Sequence, residues 1–449
     1  MIKKNYKKIF LIGIGGIGMS ALAKFFIQKK KVVEGYDRIR SKITIELESL
    51  SCRIFYDESI LNISNNFKVN KDVLVIYTPA ISQKNLIFNF FKFNKYPLFK
   101  RSEILGKISE NSDTIAVAGS HGKTTICSIL ASILNHNYND FTCFVGGILK
   151  DYKSNFISGS SDKFLIEADE FDRSFLCLSP KYIIISSIDF DHQDCYNNYE
   201  DLYKSFIEFS IKVNHKNLIV KEGLRIDSKY TYSLNSNTSN FYSENLRKKN
   251  DNFVFDIVYP GGKAKNIYTN LKGFHNIENI VAAFSLAYLN KIKISDIIQS
   301  IREFTGVKRR FEYHINNKKI KYIDDYAHHP NEISVIIKSL RELYRNKKIS
   351  IIFQPHLYSR TFHLLDDFAS VLSMSDEVML LDIYGARENA YNSVSIVDLL
   401  KKINCSEKGV YKKTSFPNIL NKDNIDILLT LGAGDISDLV SPIKFYLDD

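Results

Sequence analysis

The chain has 449 residues, a formal net charge of +11 from 61 Lys and Arg against 50 Asp and Glu, and 45% hydrophobic residues. Its length is about two to three times that of an ordinary domain, and its composition excludes a disordered or fibrous chain. The basic excess suits nucleic acid, an anionic surface or phosphorylated small molecules as partners, while the absence of Trp beside 26 Tyr and 31 Phe points equally to A/T-rich codons as its source.

Neither a membrane span nor a zinc site is indicated by the sequence. No window of about 18 uninterrupted apolar residues occurs, and the basic start of the chain leads directly into a strand pattern rather than into a signal peptide. We therefore expect a cytoplasmic protein without membrane insertion. The six cysteines show no C-x-x-C or Cys/His spacing, which predicts free thiols.

The first predicted elements are typical of a doubly wound α/β domain. A strand at Lys8–Ile12 is followed by a glycine turn and a helix over 19–29, and a further strand covers Asp72–Tyr77. The polar stretch 106–113 indicates a linker. The first domain is therefore predicted to close at residue 107.

A second α/β domain is predicted to begin at once. Its first strand, Thr114–Val117, again leads through a glycine turn into a helix, which covers 124–134. The remaining predicted elements are strands at 163–167, 182–186 and 217–220, hairpins within 229–272 around Tyr259-Pro260-Gly261-Gly262, and helices over 277–289 and 291–304. Two glycine turns of the nucleotide-binding type predict two separate anion sites.

The third domain is predicted to run from residue 308 to the end of the chain. Four strands alternate there with amphipathic helices, which indicates a mainly parallel sheet. These strands are predicted at 321–323, 349–353, 377–381 and 426–430. The sequence thus predicts an α/β protein of three domains, over 1–107, 108–307 and 308–449.

The first glycine turn, Gly13-Ile14-Gly15-Gly16-Ile17-Gly18, fits G-x-G-x-x-G between a strand and a helix. Glycine lets the backbone approach a diphosphate, and the helix N-terminus favours its charge. An acidic residue about 20 positions further on commonly binds ribose, and Asp37 lies at that distance. The motif alone does not separate a nicotinamide or flavin site from another diphosphate site or from a structural turn.

The second turn, Gly119-Ser120-His121-Gly122-Lys123-Thr124-Thr125, is more specific, because Lys and Thr arrive at the first turn of a helix. The Lys123 ammonium can neutralise phosphate oxygens, and the Thr124 hydroxyl can bind Mg²⁺. The loop is two residues shorter than G-x-x-x-x-G-K-[ST] but delivers the same groups. We interpret it as a phosphate-binding loop.

Two acidic segments follow predicted strands of the second domain. Glu167-Ala168-Asp169-Glu170-Phe171-Asp172 holds four carboxylates, and Asp189-Phe190-Asp191-His192 ends in a histidine. Mg²⁺ bound to a nucleotide commonly takes carboxylate ligands. Such segments are otherwise solvated charged loops, and a lone histidine is usually structural. Their place at strand ends of a phosphate-loop domain favours a metal or phosphate role.

Polar residues recur at later helix and strand ends. Asn276 and Asn279 either cap their helix or bind a purine edge, since carboxamides donate and accept together. In the third domain Arg, Asp, Tyr and His cluster in three segments, at 308–310, 324–330 and 354–360. Such runs are often solvated faces, but ligands of open α/β sheets bind at strand ends.

These motifs, in this order, resemble those of the Mur ligase family. The resemblance covers nearly the whole chain, and the combination is far more specific than any one motif. It is carried by Gly13–Ser20, Gly119–Thr125, Glu167–Glu170 with Ser174–Leu176, Asp189–His192, Gly273–Asn276, Gly306–Glu312, Asp324–Pro330, Phe353–His356 with Ser359–Thr361, and Gly432–Gly434.

The resemblance implies an N-terminal Rossmann-like domain for a UDP-sugar, a central P-loop ATPase-type domain, and a C-terminal Rossmann-like domain that closes over ATP and the amino acid. The alanine-adding members are the most similar, because Gly15-Gly16 precedes Met19-Ser20 and Tyr326 lies within 324–330. The implied substrates are UDP-N-acetylmuramate, L-alanine and ATP, with Mg²⁺ or alternatively Mn²⁺. Nucleic acid is not expected as a partner, and a weak homodimer is left open.

The resemblance also implies a role for each motif. The UDP-sugar site would comprise Gly13, Gly15, Gly16, Ile17, Gly18, Asp37, Arg38, Ser41, Thr78, Pro79 and Ala80. The ATP site would comprise Gly119, Ser120, His121, Gly122, Lys123, Thr124, Thr125, Asn276, Asn279, Arg310 and Asp324. Metal would be held by Thr124, Glu167 and His192, the amino acid by Tyr326, His328, His356 and Arg360, and the catalytic set would be Lys123, His192, His328, His356 and Arg360.

Several positions depart from the family pattern, namely Ser120, Phe171, Arg173, Ser187 and Leu357, the last standing where Arg is common. The nearest alternative is a murein-recycling ligase that joins a tripeptide to the same nucleotide sugar. Other Mur ligases and folylpolyglutamate synthetases match the flanking motifs poorly. A decayed nucleotide-binding paralogue is the non-enzyme alternative, and retention of Lys123, Thr124, Glu167 and His192 argues against it.

Overall fold

Three β-sheets flanked by helices make up the protein, as seen in a computed structural model that describes residues 6–69, 72–138, 140–190, 195–249, 252–386, 388 and 394–448. The predicted α/β class is therefore confirmed. Within these residues no helix has both the length and the apolar character needed to cross a membrane. All six cysteines are free, as predicted.

The first glycine turn follows the central strand of the first sheet. Its elements are β1 (Lys8–Ile12), α1 (Ile17–Gln28), β2 (Val32–Tyr36), α2 (Lys42–Ser49), β3 (Arg53–Phe55), α3 (Asn65–Lys68), β4 (Val73–Tyr77), α4 (Leu86–Phe93), β5 (Leu98–Lys100) and α5 (Arg101–Ser109). The parallel strands lie in the order β3-β2-β1-β4-β5. The turn after β1 therefore lies where the strand order reverses, which is the ligand-binding point of such sheets.

The second sheet has ten strands, and β6 carries the phosphate loop between two neighbours with acidic ends. Its elements are β6 (Asp113–Ala118), α6 (Lys123–Tyr138), β7 (Thr142–Leu149), β8 (Ser154–Ile157), β9 (Lys163–Glu167), β10 (Tyr182–Ile185), α7 (Tyr199–Ser210), β11 (Leu218–Lys221), β12 (Tyr230–Ser233), β13 (Phe241–Lys249), β14 (Asn252–Tyr259), β15 (Gly262–Thr269), α8 (Phe274–Leu289) and α9 (Ile294–Glu303). The order is β15-β14-β13-β12-β11-β10-β6-β9-β7-β8. Because β6 pairs in parallel with β9 and β10, the loops after all three leave the same edge.

The third sheet brings the C-terminal motifs to one edge. Its elements are β16 (Glu312–Asn316), β17 (Lys321–Asp325), α10 (Pro330–Leu343), β18 (Ile349–Phe353), α11 (Tyr358–His363), α12 (Leu365–Leu372), β19 (Glu377–Leu380), α13 (Ile396–Lys402), β20 (Glu407–Val410), β21 (Ile427–Leu431) and α14 (Val440–Asp448). The order is β16-β17-β21-β18-β19-β20, and only β16 runs antiparallel to its neighbour. The segments after β17, β18 and β21 therefore share an edge.

One sequence expectation was wrong, and a second held only in part. The stretch 106–113 is not a linker, because α5 continues to Ser109 and Gly106 is packed so closely that a Cβ there would lie 2.4 Å from the Cys177 carbonyl oxygen. The region 229–272 consists only in part of hairpins, because β12 and β13 pair in parallel. Alternating polarity predicts a strand but not its direction. Within the described residues, β14 and β15 lie side by side in the sheet and are joined by the predicted turn at 260–261.

The chain folds as two compact units. The N-terminal unit comprises Met1–Arg247, Val254–Asn270 and Glu278–Thr305, and the C-terminal unit comprises Lys248–Phe253, Leu271–Ile277 and Gly306–Asp449. The N-terminal unit holds both glycine turns. The three-domain boundaries at 107/108 and 307/308 stay predictions.

Within the N-terminal unit, α1 packs on the β7–β8 pair, which the sequence analysis did not predict. The Phe25 ring centroid lies 5.7 Å from that of Phe144 and 6.4 Å from that of Phe156. The Lys24 ammonium, only 7% exposed, donates to Asn155 Oδ1 at 3.1 Å. Apolar packing around satisfied polar groups attaches the first sheet to the second.

Candidate active site

The phosphate loop is shaped by two glycines at the end of β6. Gly119 has φ +137° and Gly122 has φ +81°, and L side chains rarely adopt such values. A Cβ on Gly119 would also lie 2.1 Å from Ser186 Oγ. The buried strand therefore turns sharply into α6, whose first residue is Lys123. Backbone N–H groups at such a helix start bind anions.

The loop is bonded to the segment after β10. Ser120 Oγ donates to the Asp189 carbonyl at 3.0 Å and accepts from the Asp189 N–H at 2.9 Å, while the His121 N–H donates to Ser187 Oγ at 2.8 Å. Ser120 and Ser187, two departures from the family pattern, thus hold the two loops together. Asp191 and His192, the second of them predicted to bind metal, lie outside the described residues.

Thr124 and Glu167 form a set of hard oxygen donors. Thr124 Oγ1 donates to Glu167 Oε1 at 2.8 Å, so the proton of the hydroxyl points to the carboxylate. The Gly146 N–H donates to Glu167 Oε2 at 2.7 Å and holds the carboxylate in place. A hydroxyl and a carboxylate beside a phosphate loop suit Mg²⁺, which prefers oxygen ligands. The predicted pair Thr124 and Glu167 therefore fits this metal.

Gly146 has no room for a side chain, because a Cβ there would lie 2.7 Å from Glu167 Oε1. We expect Gly146→Ala to displace the carboxylate and to lower kcat between about tenfold and a hundredfold, since displacements near 1 Å have such effects. Steady-state assays at a series of Mg²⁺ concentrations test this, with thermal unfolding to verify the fold. A folded variant with unchanged kcat and Mg²⁺ dependence would contradict the assigned position of Glu167.

Lys123 is held by a carboxylate of the acidic segment. Its Nζ donates to Glu170 Oε1 at 2.9 Å and to Oε2 at 2.7 Å, and the Glu170 residue is 2% exposed. Burial acts to lower the pKa of Lys123, but the charges of Glu170 and Asp169 outweigh it and raise that pKa. The ammonium is therefore charged at the start of α6, where a nucleotide phosphate would need it.

The four acids of the segment after β9 have separate partners. Glu167 and Glu170 contact the phosphate loop, whereas Asp169 Oδ2 lies 3.3 Å from an Arg101 guanidinium nitrogen and Asp172 Oδ2 lies 2.7 Å from Lys100 Nζ. Lys100 and Arg101 stand at the start of α5. The sequence placed all four acids together but could not distinguish which of them face the loop.

The two asparagines predicted to bind adenine have different surroundings. Asn279 approaches the phosphate loop, since a Cβ on Gly122 would lie 2.6 Å from its Oδ1. Asn276 is 4% exposed and donates from Nδ2 to the Lys272 carbonyl at 2.7 Å. Asn279 is thus adjacent to the loop, and Asn276 secures the start of α8 from within the C-terminal unit.

The neighbouring His275 makes the C-terminal unit sensitive to acid. Burial lowers the pKa of its imidazole to about 4, and the charge of Arg310 adds to this effect. In the unfolded chain the pKa is about 6.5, so the unfolded state takes up the proton first, and stability falls as the pH drops from 6.5 to 4.

We expect His275→Gln to remove this contribution. The free energy of unfolding of the variant, relative to that of the wild type, should rise by up to about 3 kcal/mol between pH 7 and pH 4. Urea unfolding of both proteins at the two pH values measures the difference. A difference that is the same at both values would show that the imidazole does not titrate in this way.

Neighbouring loops contact the first glycine turn from both sides. A Cβ on Gly13, where φ is +83°, would lie 2.6 Å from Thr78 Cγ2. The Gly15 N–H donates to Asp37 Oδ2 at 2.8 Å. Asp37 thus supports the turn itself, and the turn Thr78–Ile81 after β4 packs against Gly13. The predicted UDP-sugar residues of β1, β2 and β4 are therefore brought together.

Other predicted residues border this turn. Ser41 caps α2 by accepting from the Thr44 N–H at 3.3 Å, and Arg38, Pro79 and Ala80 are exposed. Gly16 and Ile17 lead into α1. Arg101, which no sequence motif indicated, also lies beside this turn, because its guanidinium nitrogen would be 2.5 Å from a Cβ on Gly18. Only the fold shows this approach, because 82 residues separate the two positions along the chain.

Within the C-terminal unit, the predicted amino-acid residues form one cluster. Ring centroids lie 5.4 Å apart for Tyr326 and His328 and 5.9 Å apart for His328 and His356. Arg360 is 8% exposed, and its guanidinium lies 3.3 Å from His356 Nδ1. Tyr384, which was not among the predicted residues, follows β19 and stacks on His356, with ring centroids 5.8 Å apart. The sequence could have indicated Tyr384 by its position just after a strand, because ligands of open α/β sheets bind at strand ends.

Buried charges surround the end of β17. Asp324 Oδ2 accepts from Arg309 Nε at 3.0 Å, and Asp324 Oδ1 accepts from Thr430 at 2.7 Å. Burial raises the pKa of Asp325 to about 6, although Arg310 acts to lower it. The Arg310 guanidinium also lies 5.3 Å above the Tyr326 ring. Two of the predicted ATP residues of this unit, Arg310 and Asp324, are thus near the Tyr326 cluster.

A second set of metal-type ligands comprises Glu312, His314 and Asp324. Arg309 already places a positive charge on Asp324, and its backbone N–H donates to Glu312 at 2.8 Å. The positive charge of Arg309 therefore already balances the Asp324 carboxylate without a metal ion. Leu357, where the resemblance led us to expect Arg, is buried at φ +71° before α11.

The fold and the loop define a P-loop nucleotide-binding protein. Sequence models of three domains match the chain: the Mur ligase family catalytic domain over residues 8–112, the Mur ligase middle domain over 117–287, and the domain described as Mur ligase, glutamate ligase domain over 309–434. The chain therefore belongs to the Mur ligase family.

Curated relatives agree with this membership over the full length. A UDP-N-acetylmuramate–L-alanine ligase of Christiangramia forsetii is 41% identical over 442 residues, covering 98% of this chain and 97% of the relative. One of Parabacteroides distasonis is 40% identical over 448 residues, with coverages of 98% and 97%. The expected similarity to the alanine-adding members is thus confirmed.

Solved structures show the same architecture. A UDP-N-acetylmuramate–alanine ligase from Thermotoga maritima superposes with a TM-score of 0.83 at 26% identity, covering 98% of this chain and 99% of that one. A murein peptide ligase from Psychrobacter arcticus has a TM-score of 0.72 at 18% identity, with coverages of 98% and 99%, and this likeness concerns the fold alone.

Proposed function

We propose that this protein is an ATP-dependent amide ligase that joins L-alanine to the lactyl carboxylate of UDP-N-acetylmuramate in the cytoplasm, a step of peptidoglycan precursor synthesis. One observation carries the proposal: Lys123, Thr124 and Glu167 meet at the carboxyl edge of the second sheet, within a chain about 40% identical to ligases of that name. Residues 1–107 would bind the UDP-sugar, 108–307 ATP, and 308–449 the amino acid.

The first step is activation of the carboxylate. A carboxylate lacks a leaving group, so its oxygen attacks the γ-phosphorus of ATP, and the acyl phosphate forms as ADP departs. Charge develops on the transferred group, and the Lys123 ammonium with the loop N–H groups would stabilise it. Thr124 and Glu167 would hold Mg²⁺, or Mn²⁺, which supplies further positive charge to the phosphates when bound.

The second step is amide formation. The amine of L-alanine attacks the acyl carbon, and inorganic phosphate leaves. The Arg360 guanidinium suits the α-carboxylate of the amino acid, because its planar donors match a carboxylate. His328 and His356, held by Tyr326 and Arg360 respectively, would orient the amino acid and take up its proton. The Tyr326 ring completes this set, whereas the nearby Arg310 and Asp324 would bind ATP.

The decisive assay measures phosphate release by purified protein with ATP, Mg²⁺ and UDP-N-acetylmuramate. Release is expected only when L-alanine is added, together with one new amide product per ADP. Replacing L-alanine with a tripeptide that begins with L-alanine tests the murein-recycling alternative in the same assay. Release that does not depend on L-alanine, or product with the tripeptide alone, would refute the proposed reaction.

A further inference from the structure

The ammonium of Lys123 donates its hydrogen bonds to groups of its own chain. An ammonium has three donors. In the structure two point to the Glu170 oxygens, at 2.9 and 2.7 Å, and the third points to the Gly119 carbonyl. A nucleotide phosphate can bind Lys123 only by taking over one or more of these donors. Glu170 and the phosphate are therefore alternative partners of the same group.

The position of Glu170 is determined by its backbone. The Tyr196 hydroxyl donates to the Glu170 carbonyl at 2.6 Å. The next turn contains Asp172 at φ +53° and Arg173 at φ +51°, and the Arg173 N–H donates to the same carbonyl at 3.0 Å. With the residue 2% exposed, the carboxylate has little freedom to swing into solvent. It remains beside Lys123 when the lysine changes partner.

We propose that Glu170 is a positioning residue that holds Lys123 at the start of α6 and competes with nucleotide phosphates for it. The proposal rests on the proposed function of Lys123 as a phosphate ligand. A buried carboxylate close to incoming phosphates repels them, because charges interact strongly where water is excluded. Glu170 thus weakens the binding of ATP and ADP and promotes departure of ADP by recapturing the lysine.

This role predicts opposite effects on binding and turnover. Removing the carboxylate charge takes away the competitor, so nucleotide affinity should increase. It also takes away the group that fixes Lys123, and it slows ADP release, so kcat should fall. A residue with a merely structural role would weaken binding when replaced and could not produce tighter binding.

The test is Glu170→Gln, which keeps the shape and an acceptor oxygen but removes the charge. Calorimetric titration of the full chain should show Kd values for ATP and ADP about five- to twentyfold lower than in the wild type, with a lower kcat and a lower KM for ATP. Kd values that are unchanged or higher in the folded variant would overturn the proposal. Glu170→Asp, which keeps the charge but withdraws it by one methylene, is the second variant, and a smaller decrease in Kd is expected.

A matched control lies at the other end of β6. Asp113 holds Lys181 through both oxygens, at 2.8 and 2.9 Å, in the same type of pair but in an exposed place. Asp113→Asn should leave both Kd values unchanged. Lys123→Ala separates the two proposals: full activity in that variant refutes the proposed function, whereas loss of activity with no tightening in Glu170→Gln refutes only the competition.

Discussion

Replacing Lys123 with alanine is expected to lower kcat by about a thousandfold. The ammonium is the cation nearest the start of α6 among the described residues, and loss of one preorganised charge at a phosphoryl-transfer site costs about 4 kcal/mol of transition-state stabilisation. Initial rates of phosphate release with saturating L-alanine and UDP-N-acetylmuramate measure the effect. Activity within tenfold of the wild type would exclude Lys123 from phosphate binding.

The fold must be checked in this variant, because its partner is buried. Without Lys123 the Glu170 carboxylate loses two hydrogen bonds, and breaking a buried ion pair destabilises by about 3–5 kcal/mol. The double variant Lys123→Ala with Glu170→Gln removes the stranded charge and should regain stability without regaining activity. Lys181→Ala, which breaks the exposed pair with Asp113, should change neither kcat nor stability appreciably.

Glu167→Ala is expected to lower kcat by about a hundredfold or more and to raise the Mg²⁺ concentration needed for half-maximal activity. The substitution removes one oxygen ligand and also the acceptor that orients the Thr124 hydroxyl at 2.8 Å. The loss of an oriented donor at such a site has effects of about this size. Titration of activity with Mg²⁺, and separately with Mn²⁺, provides the measurement.

Asp172→Asn is the matched control for this prediction. Asp172 belongs to the same acidic segment, but its carboxylate pairs with Lys100 at 2.7 Å and not with the phosphate loop. Its replacement should leave the Mg²⁺ dependence unchanged. Equal shifts in both variants would mean that the segment acts through its total charge, and the assignment of Glu167 as a ligand would then be wrong.

The two glycine turns illustrate how far local sequence carries a structural prediction. Each turn is a strand, a glycine run and a helix within about 20 residues, and both were placed correctly because short-range sterics determine them. The β7–β8 pair, in contrast, was missed. Its strands pack against α1, which lies more than 100 residues earlier in the chain.

The acidic segment after β9 shows, for function, the same contrast between what local sequence predicts and what the fold decides. Its composition predicted a metal or phosphate role, and its place after a strand predicted the correct edge of the sheet. Which carboxylate meets Thr124, and which meets Lys123, depends on the kinked backbone at Asp172 and Arg173 and on the Tyr196 hydroxyl. Sequence spacing carries no information on those side-chain directions.

The sequence by itself determined the α/β class, the two phosphate-type turns and the membership of the Mur ligase family, because these depend on local geometry and on ordered motifs. Only the tertiary structure decided the partners of each charged group: Asp37 with Gly15, Arg101 beside Gly18, and Glu170 with Lys123. Burial and long-range packing select these pairs, and a buried charge is retained only where the fold brings it a partner.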